Sequence, residues 1–132
     1  SGTALTTRAM SPKTRVIAAE PAGADDACRS FHGGKFVPSE HPKTIADGLL
    51  TSLGSLTYPI IREYVHDIVT VSEESIVESM RLIWERMKIV VEPSAAVPLA
   101  AILENKVDIK QKRVGIILSG GNIDLDKLPW MK

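Results

Sequence analysis

Short apolar runs alternate with helical patterns along the 132-residue chain. Small residues predict a helix from Thr3 to Met10, which ends at Ser11-Pro12 because proline disfavours the helical conformation of the residue before it. The apolar run 15–19 is too short for a helix and predicts a buried strand. The run 67–71 is rich in β-branched residues and predicts a second strand.

The clearest helical pattern follows the second predicted strand. Ser72 is a predicted N-cap, and Glu73 and Glu74 in the first turn complement the helix dipole. The apolar residues that recur at helical spacing are Ile76, Met80, Ile83 and Met87. The sequence also predicts a short helix over 59–65 and an alanine-rich helix over 95–104.

A third buried strand is predicted over Val114–Leu118, and the run 89–91 is an apolar connector or a further strand. The alternation of short apolar strands with helices predicts an α/β fold, a parallel sheet covered by helices on both faces. Ligands of such sheets bind at the carboxyl ends of the strands. The stretch Gly23–Lys43 is rich in glycine and proline and predicts a long surface loop. A separate second domain is not expected at this length.

Charge and cysteine content narrow the classes of function. The 16 basic and 16 acidic residues balance, so the sequence gives no indication of binding to nucleic acid or to acidic membranes. A single cysteine, Cys28, excludes an intrachain disulfide framework and a multi-cysteine zinc site. Together with the lack of a signal peptide or a long apolar run, this predicts a cytoplasmic protein. The start at Ser1-Gly2, without methionine, leads us to expect a piece of a longer chain.

Three places carry candidate chemistry, each with a plainer alternative. The turn Ser119-Gly120-Gly121-Asn122 lets backbone and hydroxyl approach a ligand, although a plain strand-to-helix turn also needs glycine. The acidic loop 20–26 offers oxygen ligands for a hard divalent cation, and solvated turn charges are the alternative. If Glu92, between Val91 and Pro93, were buried, its charged form would be disfavoured. An exposed glutamate at the end of a strand is the plainer alternative.

Five segments in this order resemble the C-terminal part of the pyridoxal-phosphate enzymes of the serine racemase and threonine dehydratase family, which have fold type II. The resemblance runs from residue 1 to about 125 and is strongest to the racemase branch. It implies part of the large domain, in one partial domain 1–132. The segments are Glu20-Pro21 with Ala24-Asp25-Asp26, Thr44-Ile45-Ala46-Asp47-Gly48, Trp84-Glu85-Arg86-Met87-Lys88, Glu92-Pro93-Ser94-Ala95, and 118–125 from Leu118-Ser119-Gly120-Gly121 onward.

The resemblance implies a pyridoxal 5'-phosphate site. Ser119 matches the serine that bonds the pyridine nitrogen of the cofactor, and a serine cannot keep that nitrogen protonated as an aspartate would. Gly48 matches a glycine beside the ring, where a side chain would collide. Glu92 and Gly120 match residues of the same pocket. The residues expected to lie near the amino-acid substrate are Thr51 and Ser52.

The resemblance also implies a metal and an effector. Glu20, the backbone carbonyl of Ala24, and Asp26 match a site for Mg²⁺, Ca²⁺ or Mn²⁺, in which waters complete the octahedron. This agrees with the oxygen-ligand argument from the residues themselves. Lys88 and Asn122 match positions near an ATP effector site between the subunits of a homodimer.

No catalytic residue is predicted within this chain. The family attaches its cofactor to a lysine in a Ser-aromatic-Lys-x-Arg-Gly pattern, which the sequence lacks. Lys13 has serine and arginine at matching offsets, but Pro12 replaces the aromatic residue and Val16 stands in place of glycine. The catalytic lysine and the glycine-rich phosphate loop are expected upstream, in a missing N-terminal part of the same enzyme. This chain alone is therefore predicted to be inactive.

The remaining conspicuous side chains fit no clear site. His32, His41 and His66 are widely separated and match no ligand spacing. Cys28 is either a redox-sensitive thiol near the metal loop or a passive cysteine. Two hypotheses follow: a metal-stabilised segment of a racemase or dehydratase for serine or a related β-hydroxy amino acid, or a truncated, non-catalytic family member that binds metal or dimerises.

Overall fold

The computed structural model describes residues 1–131. Five α-helices surround one small sheet, and two further helical turns lie at Asp47–Leu49 (3-10) and Ile83–Met87 (π). The strands are β1 (Ile17–Pro21) and β2 (Asp67–Val71). The α-helices are α1 (Gly2–Met10), α2 (Asp26–Gly33), α3 (Thr57–Tyr64), α4 (Glu73–Leu82) and α5 (Pro93–Leu103).

The two strands pair in parallel, as the sequence predicts. Ala18 pairs with Ile68 and Ala19 with Val69, so successive pairs point to opposite faces of the sheet. One face packs on the cluster that includes residues of α1, α2 and α3, and the other on the cluster that contains α5 and the start of α4. Helices therefore cover both faces, and the α/β prediction is confirmed.

The start of α4 and the end of α5 are tied together. The predicted N-cap is confirmed, because the hydroxyl of Ser72 accepts the amide N–H of Ser75 at 3.2 Å. Both the amide and the hydroxyl of Ser72 donate to Glu104 Oε1, at 2.8 and 2.7 Å. Because Glu104 directly follows α5, this carboxylate fixes the two helices against each other.

The predicted third strand is wrong. Val114–Leu118 is extended, but no strand pairs with it within residues 1–131. Its side chains are not buried either: Val114 is 49% exposed and Ile117 is 60% exposed. An apolar run becomes a strand only where a neighbouring strand accepts its amides and carbonyls, and the run itself does not reveal that neighbour. The run 89–91 is likewise a connector rather than a strand.

The prediction of one long loop over Gly23–Lys43 is also wrong, because α2 occupies Asp26–Gly33. Phe31, Cys28 and Ala27 pack α2 on the sheet cluster, and Gly34 ends the helix with a left-handed φ of 69°. The glycines at 33 and 34 mark a helix end here rather than a continuous loop. In the described part of the chain, no helix combines the length and the hydropathy of a membrane span.

Candidate functional site

The N-terminal end of α5 is where the predicted cofactor residues come together. Gly48, in the 3-10 turn, faces the first turn of α5, since a Cβ on Gly48 would lie 3.0 Å from the hydroxyl of Ser94. Gly120 lies against Glu92, the residue just before α5: the Glu92 amide donates to the Gly120 carbonyl at 3.1 Å. Three segments distant in sequence thus meet at one helix end.

Both glycines of the pair 120–121 are needed for this approach. A Cβ on Gly120 would lie 2.7 Å from Oε1 of Glu92, and one on Gly121 would lie 2.6 Å from the backbone oxygen of Val90. The glycine turn therefore runs directly beside the segment that leads into α5. The sequence predicted close backbone approach at this turn, and the structure supplies a neighbour that requires it.

Ser94 is the residue that sequence reasoning missed. Its hydroxyl oxygen is buried and has no hydrogen-bond partner among residues 1–131. Pro98 lies inside α5 and has no N–H, so the carbonyl of Ser94, four residues earlier, also lacks its helical donor. The signal was available, because Ser94 stands two residues after Glu92 within the resembling segment 92–95.

The other predicted cofactor and substrate residues are exposed or half-buried. Ser119 is exposed at the end of the extended segment, directly before Gly120. Thr51 is exposed, and the hydroxyl of Ser52 accepts the amide N–H of Ser39 at 2.8 Å. Ser52 therefore anchors the loop that contains Ser39 and still has its own proton to donate.

The predicted metal loop contains two buried carboxylates. Glu20, at the end of β1, is 8% exposed and its Oε1 accepts the Cys28 amide at 2.6 Å. Burial raises the pKa of Glu20 to about 7, against the lowering effect of that hydrogen bond, and the charge of Asp26 raises it further. Asp26, the first residue of α2, is 2% exposed, and its Oδ2 has no partner in the described chain.

Two buried carboxylates, one of them with an oxygen that has no hydrogen-bond partner in the described chain, are a donor set that suits a hard cation. Ala24, which lies between Glu20 and Asp26 in the sequence, is buried. Its amide donates to the Pro21 carbonyl at 2.9 Å. Within residues 1–131 no three Asp, Glu, His or Cys side chains are grouped to hold a metal. The site would therefore consist of two carboxylates, a carbonyl and water.

Cys28, on α2, belongs to a chain of polar contacts that reaches Asp67 at the start of β2. Its Sγ lies 3.3 Å from His32 Nδ1, and His32 Nε2 lies 3.0 Å from Asp67 Oδ1. The thiol also donates to the Ile68 carbonyl at 3.3 Å. Burial raises the pKa of Cys28, and the charges of Glu20, Asp25 and Asp67 raise it further. The raised pKa favours the passive cysteine over the reactive thiol, since a reactive thiol needs a lowered pKa.

Lys88 and Asn122, the predicted effector residues, are both exposed. Lys88 ends the π-helical turn in the left-handed conformation, with a φ of 60°. Lys88 lies two residues before Val90, and Asn122 directly follows Gly121, whose backbone approaches Val90. The two side chains thus belong to neighbouring segments.

Comparisons with known proteins agree on one family. A family model described as pyridoxal-phosphate dependent enzyme matches residues 1–120. The β-hydroxyaspartate dehydratase of Paracoccus denitrificans (strain Pd 1222) is 55% identical over 98% of this chain and 41% of its own length. The serine racemase of Dictyostelium discoideum is 51% identical, over 97% of this chain and 41% of its own length.

A comparison with solved structures agrees with this family at the level of the fold. The structure of maize serine racemase superposes with a TM-score of 0.89 at 44% identity, covering 95% of this chain and 40% of that one. The chain thus spans about two fifths of the length of the curated relatives that it matches.

Proposed function

This chain belongs to the family of pyridoxal-phosphate-dependent enzymes, and from that membership we propose that the whole protein racemises or dehydrates serine or a related β-hydroxy amino acid. The observation that carries the proposal is the meeting of Gly48, Glu92 and Gly120 at the N-terminal end of α5. These are the residues for which the sequence resemblance implies a role at the cofactor, and they come from three separate segments.

The residues present fit the cofactor. Two glycines lie at the helix end without side chains. The buried Ser94 hydroxyl has no hydrogen-bond partner within residues 1–131, and the exposed Ser119 hydroxyl directly precedes Gly120. We assign Ser119 to the pyridine nitrogen, with Gly48, Glu92 and Gly120 around the ring. Pyridoxal phosphate, when bound, supplies stabilisation of negative charge at the substrate α-carbon. Ser119 would hold the nitrogen by a neutral hydrogen bond, and Thr51 and Ser52 would orient the substrate.

We also propose that Glu20, the Ala24 carbonyl and Asp26 bind Mg²⁺, or Ca²⁺ or Mn²⁺ in its place. The orphaned Asp26 oxygen and the raised pKa of Glu20 support this assignment. A cation there would satisfy Asp26 and favour the ionised form of Glu20. Its role would be structural, because it would fix the end of β1 to the start of α2.

Four further parts of the proposal rest on the resemblance and on the relatives. The lysine that binds the cofactor covalently lies outside these 132 residues, since the sequence lacks its pattern. The enzyme is a cytoplasmic homodimer. Lys88 and Asn122 contact an ATP effector at the dimer interface. The exposure of both side chains supports their access to such a ligand.

A narrower candidate within this proposal is the dehydration of 3-hydroxyaspartate, which is itself a β-hydroxy amino acid. It is favoured by the 55% identity to a β-hydroxyaspartate dehydratase, against 51% to a serine racemase. Substrate assays on the purified full gene product separate the candidates: chiral chromatography detects D-serine, and a coupled reaction detects the 2-oxo acid from L-serine or threo-3-hydroxyaspartate. If no substrate is converted and no pyridoxal phosphate is bound, a non-catalytic metal-binding or dimerising protein is supported instead.

A further inference from the structure

The segment Lys43–Gly48 connects the two candidate sites. At its start, the Lys43 amide donates to the carbonyl of Gly23 in the metal loop at 2.8 Å. At its end, Gly48 faces Ser94 at the first turn of α5. Between them, Ala46 is fully buried in the core cluster shared by α4, α5 and β2. The path of this segment therefore decides where Gly48 lies.

A side chain of α4 forms a hydrogen bond with the middle of this segment. Glu73, the first residue of α4, accepts the amide N–H of Ile45 through Oε2 at 2.9 Å. Its other oxygen, Oε1, is buried and has no partner in the described chain. The remaining side-chain bonds of the segment are local: Thr44 Oγ1 accepts from the Ala46 amide, and Asp47 Oδ1 from the Gly48 amide.

We propose that Glu73 is a positioning residue for the cofactor pocket, because its carboxylate fixes Ile45 and thereby the placement of Gly48 against Ser94. The inference rests on the proposed function, since only a bound cofactor gives the position of Gly48 a consequence for activity. The hydrogen bonds of Thr44 and Asp47 shape the turn locally, but neither bond connects the segment to a helix. Glu73 joins it to α4, whose N-terminus is in turn tied to the end of α5 through Ser72 and Glu104.

The neighbouring Glu74 offers a matched control. It lies in the same first turn of α4 and carries the same charge, but it is exposed and has no hydrogen bond to the segment. Removal of either carboxylate costs a similar interaction with the helix dipole. Only the removal of Glu73 frees the Ile45 amide.

The test uses the full gene product and measures pyridoxal phosphate affinity by fluorescence titration. We expect Glu73→Ala to weaken binding about tenfold, the effect of losing a hydrogen bond to a charged group. Glu73→Asp keeps the charge but is too short to reach Ile45, so we expect the same loss of affinity. This variant provides the test if the alanine variant does not fold. Glu73→Gln keeps an oxygen acceptor and recovers most of the affinity, and Glu74→Ala binds as the wild type does.

Amide hydrogen exchange of the cofactor-free protein gives a second readout. Peptides covering 43–49 exchange faster in Glu73→Asp than in Glu74→Ala, while the rest of the protein is unchanged. Wild-type affinity in Glu73→Asp, or an equal loss in Glu74→Ala, would overturn the positioning role. If the wild-type protein binds no pyridoxal phosphate, the proposed function fails, and the positioning role toward the cofactor falls with it. The exchange result then decides only whether Glu73 holds the segment.

Discussion

The backbones of Gly23 and Lys43 are in direct contact: the Lys43 amide donates to the Gly23 carbonyl, and a Cβ on Gly23 would collide with the carbonyl oxygen of Lys43. This contact joins the metal loop to the segment that leads to Gly48. Both partners are main-chain atoms, so a side chain at Gly23 could be accommodated only if the backbone shifted. The two candidate sites are therefore mechanically linked.

We predict that Gly23→Ala destabilises the full gene product by about 2 kcal/mol or more, because the new methyl group forces the two loops apart. The same change weakens Mg²⁺ binding. Thermal unfolding with and without Mg²⁺ measures both effects. Gly33→Ala is the control, since a Cβ there meets no atom within 4 Å. Equal unfolding midpoints for the two variants would contradict the prediction.

The two glycines of the 120–121 turn should respond differently to alanine. At Gly120 the obstacle is the end of the Glu92 side chain, which can rotate away, so Gly120→Ala lowers cofactor affinity with little loss of stability. At Gly121 the obstacle is the Val90 carbonyl, which cannot rotate away, so Gly121→Ala lowers the unfolding midpoint. Titration and thermal unfolding separate the two effects. Gly115→Ala, in open space, should change neither, and a reversed order would refute the assignment.

The pH dependence of stability should report Glu20 in the metal-free protein. Its pKa is raised from 4.5 to about 7, so the folded state keeps a proton that the unfolded state releases in this range. The free energy of unfolding therefore falls as pH rises from about 4.5 to about 7, by on the order of 3 kcal/mol in total. Urea unfolding across this range measures the slope. Glu20→Gln should remove this part of the slope, and an unchanged slope in that variant would contradict the prediction.

The covalent attachment of pyridoxal phosphate should map outside these 132 residues. Borohydride reduction of the cofactor-loaded full gene product, followed by digestion and mass spectrometry, locates the labelled lysine. We expect no label within the chain, including Lys13, because the sequence around it lacks the aromatic residue and the glycine of the family pattern. A stoichiometric label on Lys13 would refute this and would reassign the catalytic lysine.

Ser79 in α4 and Ser72, the N-cap of that helix, should have opposite effects on stability. Ser79 is fully buried and its hydroxyl has no partner in the described chain, so Ser79→Ala should raise the free energy of unfolding by about 1 kcal/mol. Ser72 caps the helix and binds Glu104, so Ser72→Ala should lower it by about 1–2 kcal/mol. Urea unfolding of both variants checks the signs. A loss of stability in Ser79→Ala would mean that its hydroxyl is satisfied in solution.

Local chemistry accounts for the parts of the fold that the sequence predicts well. The β-branched run 67–71 and the N-cap at Ser72 depend on neighbours within a few residues, and both match the structure. The order of the resembling segments also led to the right family. The sequence predicts a strand at Val114–Leu118 wrongly because pairing is a property of two segments. It does not reveal α2 because the glycines and prolines of 23–43 also fit a loop.

The candidate site was predicted less completely, for the same reason. The sequence indicates Glu73 only as a charge at a helix dipole, since nothing local points to Ile45, which precedes it by 28 residues. Ser94 has a role only beside Gly48, which belongs to another segment. The sequence identifies single residues that match the family closely, whereas the contacts that orient them join segments far apart in the chain.

The parallel pairing of β1 and β2 also bears on the order of folding. Each strand pair joins residues 50 positions apart, so the sheet forms only after a long loop closes. The helices α4 and α5 follow each other in the chain and pack extensively, so their contact needs no such closure. We therefore expect the α4–α5 hairpin to form early and the sheet to be the slow step, which sets how soon a newly made chain can assemble either candidate site.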